Sequence, residues 1–387
     1  MDFPERFSAL PEYAFPRLRA LLDGHAPGGD VIHMSIGEPK HAQPAFVGDI
    51  LAGSLAGFGK YPPNEGTLAL RQAIAAWISR RYGRDLDPDR NILPLNGTRE
   101  GLFNAALAIS PEKKAGQTPA VLIPNPFYQC YAVAALTAGA EPVFLPATAD
   151  THFLPDFDAV PAAVLDRTSI AYVCSPSNPQ GAVADAAYWR NLLSLAARHD
   201  FIIFADECYS EIFRDTPPPG ILEHATDLDR VIAFHSLSKR SNLPGLRSGF
   251  AAGGAAPIAE MKKLKAYSGA PIPLPIQDVS AAVWADEVHV TENRALYGEK
   301  FAIADKIFGN LPGYRSPEAG FFLWLDVGDG EAAALDIWKQ TGVRVLPGKY
   351  LSRDADGHDP GQAYIRIALV AETTEMTRGL KAIRNCL

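Results

Sequence analysis

The stretch VIAFHSLSKRSNLPGLRSGF, Val231 to Phe250, decides how this chain is read. It starts as an unbroken apolar run, Val231–His235, and turns abruptly into serines, a lysine, a proline–glycine pair and an arginine. A short apolar run bounded by turn residues is the pattern of a strand buried on both faces. Open α/β sheets bind ligands outside the carboxyl ends of their strands. An amine (Lys239), two hydroxyls (Ser236, Ser238) and a second cation (Arg247) just past such an end therefore suggest a site. Taken alone, Lys239 and Arg247 read as solvated charges of a surface loop, the commoner state of such residues. What stands at the neighbouring strand ends decides between the two.

The same pattern recurs upstream, in NILPL (Asn91–Leu95), AVLIP (Ala120–Pro124), EPVFLP (Glu141–Pro146), IAYVC (Ile170–Cys174) and FIIFA (Phe201–Ala205). Between most of these runs lie segments of helical periodicity, such as YWRNLLSLAARHD. LALRQAIAAWISRRYG (Leu68–Gly83) is another, with basic residues and a glycine at its end as a stop signal. Apolar runs alternating with helices specify an α/β fold, a mostly parallel sheet between helices. After about residue 285 the pattern changes. A long helix, RALYGEKFAIADKIFGNL, precedes the strands GFFLWLDV, VRVLPG and AYIRIAL, an α+β arrangement of the size of a smaller domain. The expected division is a large domain over 42–285 and a small α+β domain from 1–41 with 286–387. In the latter, a helix at Phe15–Leu22 and the segment VIHMSIG join the C-terminal part.

The bulk properties exclude some functions. The chain has 387 residues, 47% hydrophobic, and a net charge of −8. That balance argues against a nucleic-acid binder, which carries a basic stripe. Cys130, Cys174, Cys208 and Cys386 show no paired spacing, and the histidines show no ligand spacing, so no metal site is expected and free thiols are. The N-terminus is broken by prolines and charges, unlike a signal peptide, and no run approaches the roughly 18 apolar residues of a membrane span. A cytoplasmic chain without membrane or nucleic-acid partners is the expectation.

The strand ends supply the missing partners. NILPL leads through a glycine turn, NGTRE, into a helix whose N-terminus at Thr98–Arg99 suits an anion. AVLIP leads to NPFYQCY, with Tyr128 as a flat face and Phe127 and Tyr131 as rivals for that place. IAYVC leads to SPSNPQG, with Asn178 and an expected cis bond to Pro179. FIIFA leads to DECY, with Asp206 and Tyr209. This inventory fits an aldehyde-bearing, phosphorylated pyridine cofactor. Lys239 forms a Schiff base with the aldehyde. Ser236, Ser238, Arg247 and the Thr98–Arg99 helix end hold the phosphate. Asp206 pairs with the ring nitrogen, and Asn178 and Tyr209 reach the ring hydroxyl. The bland alternatives are turn chemistry for Asn178, a helix cap for Asp206 and packing for Tyr209 and Tyr128.

These motifs, in this chain order, resemble the fold-type I, class I/II aminotransferases that use pyridoxal 5′-phosphate (PLP). SLSK with LRSGF, SPSNPQG, DECY, NGTRE and NPFYQCY are similar to the family's cofactor segments. The resemblance adds three further residues. Tyr61 in KYPPNEG would reach the phosphate of a neighbouring subunit, implying a homodimer with shared sites. Arg366 in YIRIAL would clamp the substrate α-carboxylate, and Gly37 in SIGEP would approach it through its backbone. It also implies that Lys239 acts as general base and acid in a ping-pong exchange between an amino-acid donor and 2-oxoglutarate or glutamate.

Within the family, IGEPKH, SLSKRSNLPGLRSGF and LPGKYLSR are most like the N-succinyldiaminopimelate aminotransferases of lysine biosynthesis. The distal carboxylates of such a substrate would want cations, and Lys349 and Arg353 are the candidates. The loop Tyr267–Pro275 is expected to reach across a dimer. Aspartate, aromatic or N-acetylornithine donors, or a C–S lyase of the same fold, would use nearly the same residues.

Overall fold

The computed structural model describes residues 5–8, 10, 12–355 and 357–387. Its centre is a seven-stranded sheet. The strands in chain order are β2 (Ile92–Leu95), β3 (Ala120–Asn125), β4 (Glu141–Pro146), β5 (Thr168–Cys174), β6 (Ile202–Asp206), β7 (Val231–Ser236) and β8 (Gly249–Gly253), following the short β1 (Ile32–His33). Their order in space is β2-β8-β7-β6-β5-β3-β4. The pairs β3–β4, β3–β5, β5–β6 and β6–β7 are parallel, as the continuous apolar runs predict. β2, β3, β5 and β7 are buried along their whole length.

β8 departs from the expected pattern, because it is a strand that none of the apolar runs marks. It runs antiparallel to both neighbours. Its sequence, GFAAG, has little β-propensity, which depends on branched and aromatic side chains. It is held by close approach instead. A Cβ added at Gly253 would lie 2.1 Å from the Val231 carbonyl oxygen, and one at Gly249 would lie 2.6 Å from that of His235. The reversal matters for the site. β8 begins where β7 ends, with Gly249 opposite Ser236, so the chain brings Arg247 back to the edge that carries Lys239.

Helices cover both faces. Leu68–Tyr82 is capped by the Thr67 side chain and stopped by Gly83 in the left-handed conformation, as its sequence predicts. It buries Leu70, Ile74, Trp77 and Ile78 against the sheet. On the other face, Leu102, Tyr131, Tyr172, Phe204 and Phe234 share a second apolar cluster. Beyond residue 285 comes the long helix Val288–Phe308, then β9 (Phe322–Asp326), β10 (Val343–Arg344), β11 (Leu346–Pro347) and β12 (Tyr364–Ala368). β11, β12 and β9 form an antiparallel sheet, and β1 pairs in parallel with β10. Met34, from the N-terminal segment, shares a core with Tyr297, Phe321, Ile365 and Met376. Among the described residues no helix is long and apolar enough to cross a membrane.

Candidate active site

A cavity of ≈ 450 Å³ opens at the carboxyl ends of β5, β6 and β7. Strand register explains why. Cys174 stands opposite Asp206, and Asp206 opposite Phe234, so residues far apart in sequence end at one level. Gly37, Thr98, Arg99, Tyr128, Asn178, Asp206, Tyr209, Ser236, Ser238, Lys239, Arg247 and Arg366 all line it.

Lys239 sits on the single helical turn Leu237–Arg240 that follows β7. Its Nζ donates to the Gly37 carbonyl oxygen and lies 5.3 Å from the centre of the Phe321 ring. Burial pushes the amine down to about 8; Arg366 and Arg247 push the same way, against Cys208 and Glu38. An amine so placed is partly neutral near neutral pH and is competent as nucleophile or base.

Asp206 ends β6 at 6% exposure. Its Oδ2 accepts from the Tyr131 hydroxyl at 2.6 Å, and its Oδ1 accepts from the Cys208 N–H at 3.3 Å. Burial raises its carboxyl, and these hydrogen bonds oppose the rise. Tyr131, a rival for the stacking place in sequence terms, therefore orients the carboxylate. Its ring is stacked on Tyr172, with centroids 4.4 Å apart. Tyr128 is the aromatic of NPFYQCY whose hydroxyl meets Arg99.

Arg366 projects from β12 with 4% exposure. It donates to Asn178 Oδ1 at 2.9 Å and to the Ser35 carbonyl at 2.8 Å, and its Nε is buried with no partner. It lies 4.2 Å over the Phe322 ring, and burial lowers it to about 10. The Asn178–Pro179 bond is cis. Tyr209, 8% exposed, packs edge-on against Phe321 and Phe322.

Around the Lys239 turn, Ser236 Oγ accepts from the Ser238 N–H at 3.1 Å and lies 2.9 Å from the Ser238 hydroxyl. Arg247 adopts a left-handed backbone, φ 53°, which costs a non-glycine residue on the order of 1–2 kcal/mol and is typical of ligand sites. Its guanidinium donates to the Pro244 and Asn96 carbonyls and crowds Gly97, where an added Cβ would lie 2.3 Å from Nη2. Thr98 opens the helix Thr98–Ile109 beside it. Among the described residues Arg99, Lys239, Arg247 and Arg366 form no ion pair with a carboxylate, although all four share this cavity. A wall that gathers three arginines and a lysine around a single carboxylate, Asp206, suits anions.

Other predicted residues lie elsewhere. Lys349 does not line the cavity: its ammonium is 3.1 Å from Glu331, which also accepts from Tyr350. The cation expected for a distal carboxylate is thus engaged within its own chain. Arg353 is outside as well, packed 5.3 Å over Phe127 and donating to the Ser352 carbonyl. Tyr61 is fully exposed, at 102%, and does not reach the cavity of its own chain; Tyr267 is 92% exposed. The guanidinium of Arg99, expected to serve through its helix end, turns to the hydroxyls of Tyr128 and Tyr13.

Sequence reasoning gave no role to part of the wall. Cys174 and Cys208 line it, with Cys208 Sγ 3.1 Å from Thr98 Oγ1. Tyr13, Phe15, Ile36, Phe322 and Leu351 also line it. Position at or just after the ends of β5 and β6 would have found Cys174 and Cys208, and adjacency to Gly37 would have found Ile36. Tyr13, Phe15, Phe322 and Leu351 come from remote segments and carry no local signal.

The profile described as aminotransferase class I and II matches residues 29–383. An LL-diaminopimelate aminotransferase of Dehalococcoides mccartyi is 32% identical over 395 residues, covering 100% of this chain and 99% of that protein. A solved aminotransferase of Neisseria meningitidis superposes with a TM-score of 0.94 at 39% identity, covering 98% of this chain and 99% of that one. A probable N-succinyldiaminopimelate aminotransferase of Thermus thermophilus gives 0.86 at 27% identity, over 97% and 100%.

Proposed function

Because the chain belongs to the class I and II aminotransferases, PLP-dependent enzymes that transfer amino groups, we propose that it aminates or deaminates N-succinyl-LL-diaminopimelate with glutamate and 2-oxoglutarate as the other pair. The observation that carries this reading is a pair of cations in one cavity: buried Arg366 for an α-carboxylate, and Arg99, bound only to phenolic oxygens, for a distal one. A substrate with carboxylates at both ends suits both. The name of the Thermus neighbour supports the succinylated donor. The names of the relatives at about one-third identity support a second reading, LL-diaminopimelate itself.

The residues present fit PLP. Ser236, Ser238, Thr98 and Arg247 offer hydroxyls and a guanidinium that would hold its phosphate, Asp206 would pair with its ring nitrogen, Asn178 and Tyr209 would meet its ring hydroxyl, and Tyr128 would cover its face. When bound, PLP supplies an aldehyde and an electron-withdrawing ring. Arg366, fixed by Asn178 and Ser35, holds the substrate carboxylate and so aims Cα at Lys239. Lys239 Nζ takes the Cα proton and returns it, general base then general acid. Tyr61, exposed on its own chain, would complete the neighbouring site in a homodimer.

The deciding experiment offers a panel of donors with 2-oxoglutarate and measures glutamate: N-succinyl-LL-diaminopimelate, LL-diaminopimelate, N-acetylornithine, aspartate and aromatic amino acids. N-succinyl-LL-diaminopimelate should give the highest kcat/KM; a higher value for LL-diaminopimelate selects the second reading. Release of pyruvate and ammonia from cystathionine without an oxo acid would mark a lyase instead. Arg366→Ala should raise KM for both substrates on the order of a hundredfold, since both carry the α-carboxylate and a buried charged hydrogen bond is lost. An effect on one substrate alone would refute the shared clamp.

A further inference from the structure

We propose that Asn293 is a positioning residue for the active site, tying the segment Ser35–Ala42 and the Lys239 turn to the long helix through one side-chain amide. Asn293 is 4% exposed on the helix Val288–Phe308. Its Oδ1 accepts from His41 at 2.8 Å and from the Asn242 amide at 3.0 Å, and its Nδ2 donates to the Arg240 carbonyl at 3.4 Å. Because an amide oxygen only accepts, His41 carries its proton on Nδ1. Asn242 also donates to the Ala42 carbonyl at 3.3 Å. One amide thus fastens two chain segments that are about two hundred residues apart, since the contact between Asn242 and Ala42 spans 200 positions.

Both segments end at the chemistry. Upstream of His41, Gly37 accepts from Lys239, and the Ser35 carbonyl accepts from Arg366 at 2.8 Å. There is no slack at Gly37, where an added Cβ would lie 2.4 Å from Phe322. Ring packing follows the same route. His41 lies 4.6 Å from Tyr297, one turn beyond Asn293; Tyr297 is stacked on Phe321; and Phe321 underlies Lys239.

The residues after Lys239 act from behind. Arg240, 2% exposed, donates to the Val283 and Asp286 carbonyls and pairs with Glu287 at 2.8 Å. Ser241 Oγ lies 2.8 Å from His289 Nε2. Arg240, Ser241 and Asn242 all lie outside the cavity wall. Arg240, Ser241 and Asn242 therefore anchor the Lys239 turn from outside the cavity.

The inference rests on Lys239 and Arg366 having the roles proposed above. The test uses the PLP-loaded protein with His41→Phe, which keeps the packing on Tyr297 and deletes the donor. KM for both substrates should rise about five- to tenfold, the worth of one partly buried hydrogen bond, with kcat changing less. Amide hydrogen exchange should accelerate within residues 35–42 and not across the sheet. His41→Asn, whose amide nitrogen replaces Nδ1, should restore both. Unchanged KM and unchanged exchange in His41→Phe overturn the proposal. Asn293→Ala should reproduce the His41→Phe effect, and if it does not fold the half-buried His41 variants still decide. A silent His41→Phe in an otherwise normal enzyme refutes the anchoring alone; full activity in Lys239→Ala refutes the reading it rests on.

Discussion

Lys239→Ala is expected to lose turnover by a factor on the order of 10⁴ or more, together with the absorbance of lysine-bound cofactor. The loss combines a nucleophile with a general base and acid, and proton transfer alone accounts for 10²–10⁴-fold. Cofactor should still bind, because Ser236, Arg247 and Asp206 remain. Wild-type turnover in this variant with added PLP would overturn the assignment. The same amine sets a pH dependence. Its pKa is lowered to about 8 by burial and neighbouring cations, so it is charged below that value and neutral above it. Only the neutral amine attacks the aldehyde. Covalent uptake of PLP by cofactor-free protein should therefore rise with pH and level off above about 8, well short of the ordinary lysine value near 10.4. A rise continuing past about pH 10 would show that burial does not act on Lys239 as the geometry requires.

Asp206→Asn is expected to lower kcat by roughly 10²–10³-fold, the scale of removing one preorganised charge from a water-poor site. The amide keeps the size of the carboxylate and can still accept from Tyr131, so the protein should fold and retain cofactor. It cannot bear the negative charge that keeps the ring nitrogen protonated. Burial works against that charge in Asp206, and Cys208 together with the Tyr131 hydroxyl at 2.6 Å supports it. Tyr131→Phe should consequently show a smaller loss in the same direction. An Asp206→Asn enzyme within about threefold of wild type would remove Asp206 from the mechanism.

The parallel core was legible because a strand buried on both faces leaves an uninterrupted apolar run, and six such runs each ended in a polar turn. The site was legible for the same reason, since ligands gather where those runs stop. β8 was not legible: GFAAG is held by glycine contacts with β7, and such contacts leave no periodic signal. Tyr131 was seen only as an aromatic near the cofactor, because nothing local says that its hydroxyl turns to Asp206. Lys349 was misplaced for the opposite reason. Its position in LPGKYLSR suggested a site, and a partner 18 positions upstream, Glu331, engages it.

Local chemistry in the chain was thus sufficient for the α/β class and for gathering Lys239 and the residues at the ends of β5, β6 and β7 at one cavity, because strand ends are local events. The contacts that hold Arg366 and Arg99 needed the tertiary structure. Arg366, Asn178 and Ser35 meet across separations of 188 and 331 residues. Arg99 turns to the phenols of Tyr128 and Tyr13 within the cavity, and Asn293 ties RSN to His41. Long-range contacts of this kind depend on how helices and sheets pack, and packing is a property of the folded whole that no short stretch encodes.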